Sequence, residues 1–217
     1  MSKLVWDQTA EKRYETGIEQ VALYKQVSGA YPAGVAWNGI TALNLTPSGA
    51  EPTPLYANNR KYLTLMSVEE LGGTIEAYTY PEEWEECDGS ADAVAGVYIG
   101  QQPRATFGLV GKTLIGNDTE GTKHGYKLHL VYGCQASPAE ESHATVNDSP
   151  EAVTFSWEFT ATPVDVTGHK PTAIITIDST KVDETKLAAL EAILYGSEDQ
   201  EARLPLPDEI KTLLTAA

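Results

Sequence analysis

Strict two-residue alternation constrains this chain more than any other feature. Phe155, Trp157 and Phe159 share one parity, while Thr154, Ser156, Glu158 and Thr160 share the other. Successive side chains of a strand point to opposite faces, so this run reads as a strand with one buried and one wet face. A similar period recurs near Val21, Leu23 and Lys25, and where Thr74, Glu76, Tyr78 and Tyr80 alternate with Ile75, Ala77 and Thr79, while Lys61–Met66 reads as a further strand. Val35, Trp37, Gly39, Thr41, Leu43 and Leu45 also share one parity and read as one strand. Further strands are expected near Thr106–Leu114, Gly125–Cys134, Val153–Thr162 and Thr172–Asp178. Turn chemistry separates them: Ser28 to Gly34, Gly116-Asn117-Asp118, the polar stretch leading to Pro150, and Val166 to Pro171.

Helical signals are few. Asp183 caps a helix through Tyr195, with Leu187, Leu190, Ile193 and Leu194 on one stripe and Gly196 as the stop. Pro207 or Asp208 opens a second short helix carrying Ile210, Leu213 and Leu214. Ser67 and Glu70 match a capping box for a single turn, which Gly72-Gly73 would break. Pro81 suits a first helical position, with Glu82 and Glu83 in the first turn and Trp84 pinned into the core. Thr46 to Asn59 holds Pro47, Pro52 and Pro54 and is read as a long loop, since proline removes a ladder donor. Long loops of this kind are usually interactive. The fold class is therefore mainly β with α: an antiparallel β-sandwich or barrel with a flanking helix. Residues 1–18 form an arm that orders against a partner, 19–180 the sandwich, and 181–217 a helical segment packed on or extending from it.

The formal charge is -16, with 31 acidic and 15 basic residues. Tight nucleic-acid binding needs Lys and Arg to displace counterions, so this balance argues against it. Cys87 and Cys134 form no CxxC pair, so reduced thiols are the expectation. The opening MSKLVWDQTAEKRYETG lacks an apolar core of signal-peptide length, and no segment approaches the ~18 apolar residues of a span. No membrane association is expected.

The search for chemistry is negative. Gly111-Lys112-Thr113 looks like the end of a phosphate loop, but Thr106 stands where its first glycine is needed. His124, His129, His143 and His169 show no i, i+4 helical pair for zinc, and no G-x-S-x-G elbow occurs. The carboxylates flanking Trp84 lack the order of a calcium loop. Neither catalysis, cofactor nor metal is expected; the chain reads as a non-enzyme.

Several segments carry a resemblance. They are WNGITALN (Trp37–Asn44), SGAEPTPLYANNRKYLTLMS (Ser48–Ser67), EELGGTIEAYTYPEEWEECDG (Glu69–Gly89) and GYKLHLVYGC (Gly125–Cys134). NDSPEAVTFSWE, TIDS and LPLPDEI extend it toward the end of the chain. Together they resemble the major tail tube proteins of long-tailed bacteriophages. That resemblance implies a β-sandwich whose copies join edge to edge into hexameric rings, inner strands completing a β-barrel. Rings would stack around a tape-measure protein, between a tail terminator and distal tail proteins, and viral DNA would pass through without specific binding. The place would be the virion tail, after assembly in the host cytoplasm. Alternatives are a terminator or tube-end protein of similar fold, and a glycan-binding β-sandwich. Within the Thr46–Asn59 loop, Pro47, Glu51, Pro52, Pro54 and Tyr56 are the candidates for contact between subunits. Glu76, Tyr78 and Tyr80 are the candidates for facing the lumen.

Overall fold

The computed structural model describes residues 3–143, 145 and 152–215. Residues 3–12 carry neither strand nor helix and are exposed. The first strand, β1 (Arg13–Lys25), begins inside the stretch read as an arm. Next come β2 (Gly34–Ala36), β3 (Ile40–Gly49), β4 (Pro52–Ala57), β5 (Arg60–Met66) and β6 (Glu69–Ala77). A short helix α1 (Trp84–Asp88) and a small hairpin β7 (Ala91–Val94) and β8 (Val97–Ile99) follow. Two long strands, β9 (Phe107–Asn117) and β10 (Gly121–Ala136), precede β11 (Phe155–Ala161) and β12 (Ile174–Asp178). Helices α2 (Glu184–Tyr195) and α3 (Pro207–Thr215) close the chain.

The main sheet runs β2-β1-β9-β10-β11-β6-β3, with β12 also on β10, and every pairing is antiparallel. One residue makes this ribbon into a sandwich. Gly133 sits at φ +63°, and a Cβ there would lie 2.2 Å from the Thr162 carbonyl oxygen. The ladder shifts register between Val131 and Cys134. Before that bend β10 pairs with β12, and after it with β11. A bulge of this kind kinks a strand and passes it from one sheet to the other. The ends of the sheet, β2 and β3, do not pair, so no barrel closes in the monomer.

Two apolar layers result. Between the sheets, Trp84 lies 4.6 Å from Trp37, 5.0 Å from Phe107 and 5.2 Å from Trp157, ring centre to ring centre. Tilted and edge-on aromatic pairs at such spacings add about 0.5–1.5 kcal/mol each beyond the area they bury. On the outer side of β1, β9 and β10 the two helices cover Tyr24, Val110, Leu128, Leu130 and Tyr132. Buried tyrosines tie this layer down. Tyr24 donates to the Leu194 carbonyl at 2.6 Å, and Tyr132 to that of Pro205 at 2.9 Å. Helix α2 is capped as expected, Asp183 accepting from the backbone N–H of Thr185 and Lys186. The helical segment 181–217 is thus docked on the sandwich rather than extended from it, over its described residues.

Three readings are corrected. Thr46–Asn59 is strand, not loop, because β3 and β4 run through it. Its prolines are tolerated because Pro47 stands on β3 at the edge of the main sheet, and Pro52 and Pro54 on β4, which pairs with β5 alone. Ser67 starts no helical turn, and Gly72-Gly73 lies within β6 rather than ending an element. Gly73 is required there: a Cβ would sit 2.3 Å from the Asn44 carbonyl oxygen and 2.6 Å from the Phe159 ring. The run from Val35 to Leu45 is two strands, since a turn at Gly39 (φ +76°) sends β2 to β1 and β3 to β6.

Candidate assembly surface

The β3–β6 pair continues past the sandwich as a second ribbon, β4–β5. Gly49 (φ +79°) and Ala50 (φ +55°) kink the first strand at the junction. At the far end Asn58 and Asn59 both hold positive φ, 52° and 60°, as the two central positions of a type I′ turn require. Pro52 faces Met66 and Pro54 faces Thr64 across the ladder. Among the described residues nothing covers either side of this ribbon. Tyr56 is 71% exposed, Tyr62 72%, Met66 69% and the neighbouring Val68 80%. Leu55, Leu63 and Leu65 are exposed as well. Contiguous exposed apolar area on this scale marks an interaction surface.

Four of the five sequence candidates for subunit contact fall on this ribbon or in the kink that leads into it, and Pro47 does not. Pro47 lies in β3 opposite Leu71, Glu51 in the exposed kink, and Pro52, Pro54 and Tyr56 on β4. The partner strand β5, which was not among the candidates, is exposed and apolar as well. Its signal was legible: Tyr62, Leu63, Leu65 and Met66 are apolar on both parities, with little polar face to turn to water. A second exposed cluster, Leu4, Val5 and Trp6, sits near the N-terminus, and Ala10 N–H bonds Asp118 Oδ1 at 2.9 Å.

The outer face of β3, β6 and β11 has a different chemistry. Asn44 pairs with Thr74, which pairs with Glu158; Ala42 pairs with Glu76, which pairs with Ser156. These three strands contain neither lysine nor arginine. Glu76 stands on that face, half-buried. Tyr78 lies just past the end of β6, 55% exposed, its N–H bonded to the Gly39 carbonyl at 2.9 Å. Tyr80 does not share the face, contrary to the alternation. The strand stops at Ala77, and Tyr80 turns edge-on to Phe155 (5.3 Å) and Trp157 (5.6 Å). Burial raises its phenol pKa.

The open half of the other sheet is cross-braced instead. Glu15 on β1 accepts from Thr113 Oγ1 at 2.7 Å and from Lys127 Nζ. The Lys127 hydrogen bond, followed by that of Thr113, holds this carboxyl below the usual range. His129 Nε2 lies 2.9 Å from Thr113 Oγ1, and burial lowers its pKa. Both thiols are buried, and desolvation pushes Cys87 up to about 12. Gly111–Thr113 lies inside β9, as strand. Among the described residues no group of three or more His, Cys, Asp or Glu could hold a metal, and no helix is long and apolar enough to cross a membrane. A cavity of about 590 Å³ opens where β1 and β3 part, against Val21, Trp37, Ile40 and Tyr195.

The fold is thus an antiparallel sandwich with helices on one side. No protein-family model matches the chain, and no curated protein matches it.

Proposed function

We propose that this chain is a structural subunit that builds a phage tail tube from copies of itself, as stacked hexameric rings. One observation carries the reading. Strand β3 is ten residues long, holds no charged side chain, lies at the edge of the sheet, and leads directly into the uncovered β4–β5 ribbon. Long flat edges are normally blunted by lysine or covered, because they invite pairing with another chain. Here the edge carries only Pro47 and one register shift near Ile40. Pairing with a neighbouring copy would satisfy its backbone and bury the ribbon, and ring closure would complete the barrel that the monomer leaves open.

The cation-free face of β3, β6 and β11, with Glu76 and Glu158, is the wall we assign to the channel. Duplex DNA carries one negative charge per ~1.7 Å of axis, so a wall without lysine or arginine offers phosphates nothing to grip. DNA would then pass without specific binding. The working place of such a subunit is the virion tail, reached from the host cytoplasm, with tape-measure, terminator and distal tail proteins as partners and no membrane. The purified protein, viewed by negative-stain electron microscopy over a range of concentration and salt, is expected to form rings and long hollow tubes. Monomers under every condition would overturn the proposal, and rings that never stack would favour a tube-end role.

A further inference from the structure

Two exposed patches of the monomer are complementary in both polarity and charge. The first is the tip of the β4–β5 ribbon. Its strands hold two charged residues, Arg60 and Lys61, both exposed and both beside the turn, with Tyr56 and Tyr62 next to them. Neither cation makes an ion pair among the described residues. In a chain of charge -16, an aromatic surface whose strand charges are all positive is out of keeping with the rest.

The second patch is the β7–β8 hairpin. It exposes Val94 (65%), Val97 (52%), Tyr98 (47%) and Ile99 (50%). Carboxylates rim it: Glu82, Asp88, Asp92 and Glu141 stand close enough to act on Glu85, and Glu85, Asp92 and Glu82 on Tyr98 of the hairpin. Burial first, then these neighbours, raises the pKa of Glu85. Of the nearby cations, Lys25 is held by Glu86 at 2.8 Å, and the half-buried Arg104 acts on Asp88 through charge alone. The surface is therefore an apolar plateau inside a negative rim.

We infer that the basic, tyrosine-bearing tip of the β4–β5 ribbon of one copy docks on the acid-rimmed β7–β8 hairpin of a second copy. The inference rests on the proposed self-assembly and names its contact. The two patches differ, so the contact is head-to-tail. Such contacts do not terminate in a dimer; they propagate as rings or filaments. The apolar centres supply burial, while the opposed charges fix register and speed encounter.

Charge reversal tests it. One variant carries Arg60→Glu and Lys61→Glu; a second carries Glu82→Lys, Asp92→Lys and Glu141→Lys, all at exposed positions; a third combines the five. Each of the first two is expected to need about tenfold more protein to assemble, about 1.4 kcal/mol of contact, with melting unchanged. The combined variant is expected to recover most of that loss. Either reversal assembling like the parent, or no recovery in the combination, overturns the inference. A mixture of Tyr62→Cys and Val97→Cys copies gives an independent reading, since both native thiols are buried. A short bis-maleimide is expected to join the two copies, and no product in assembled material counts against the contact. If the parent protein never assembles, the proposed function falls together with this contact. If it assembles and the reversals are silent, only the contact falls.

Discussion

The aromatic cluster around Trp84 and the β4–β5 ribbon are built from the same kinds of residue in opposite surroundings. Trp84 is 1% exposed and touches Trp37, Phe107 and Trp157, while Tyr62, two thirds of the way along an equally apolar hairpin, is 72% exposed. In the first region the chain supplies its own cover. In the second it leaves the apolar side chains exposed. Apolar content alone does not distinguish them; what does is whether the same molecule carries a facing surface.

The largest separation between the two should come from truncation. Trp84→Ala removes the centre of the cluster and is expected to cost about 3–5 kcal/mol in urea unfolding. Tyr62→Ser should leave the unfolding midpoint within about 0.5 kcal/mol, as surface changes do, yet raise the concentration needed for assembly. A Tyr62→Ser protein that unfolds early would mean the ribbon is part of the monomer's core after all.

A smaller effect is expected at Gly73→Ala. Its new methyl would meet the Asn44 carbonyl and the Phe159 ring, so β3 or β11 must shift, at about 1–3 kcal/mol. Because the change lies between the strand edge and the aromatic layer, it should weaken both stability and assembly. A loss in only one of them would show that the layers are less coupled than their shared strand suggests.

The smallest effect is electrostatic, and its sign differs by region. Glu85 has a folded pKa raised above 4.5, so the α1–β7 region takes up its proton more readily folded than unfolded and gains stability as pH falls toward 4.5. Glu15 and Glu209 have folded values lowered below 4.5, by hydrogen bonds from Lys127 and Arg203 respectively. Their contribution is present above 4.5 and is lost as pH falls through the folded values. Hydrogen exchange should therefore slow at Ser90–Gly100 on mild acidification, with β1 and α3 loosening at lower pH. Loosening of both regions together would contradict the opposed shifts.

What could be read from the sequence follows the same division. The alternation at Phe155, Trp157 and Phe159, the Asp183 cap and the burial of Trp84 were legible, because each records a decision made within a few residues. Strand β5 was legible over Lys61–Met66, but Thr46–Asn59 was read as a loop because Pro47, Pro52 and Pro54 argue against a central strand, and their places on edge strands remove that objection. The turn at Gly39 was hidden because the alternating parity runs through it on both sides. Gly73 looked like a break because the ring that demands it, Phe159, is remote in sequence. The small β7–β8 hairpin has too few residues to establish a period. Of the face candidates, Glu76 follows the parity, while Tyr80 fails because the strand ends three residues earlier.

The pairing of β1 with β9 has a consequence for how the protein is made. Arg13 lies beside Asn117 in the ladder, so the first strand to leave the ribosome has only the short β2 against its far end, Ala22–Tyr24, until the ninth is synthesised. At ~5–20 residues per second that is a wait of roughly 5–20 s. Meanwhile the β4–β5 ribbon, closed by its own Asn-Asn turn, needs nothing downstream, and hairpins form in about 1–10 μs. The exposed apolar ribbon is therefore formed long before the body that carries it has been synthesised.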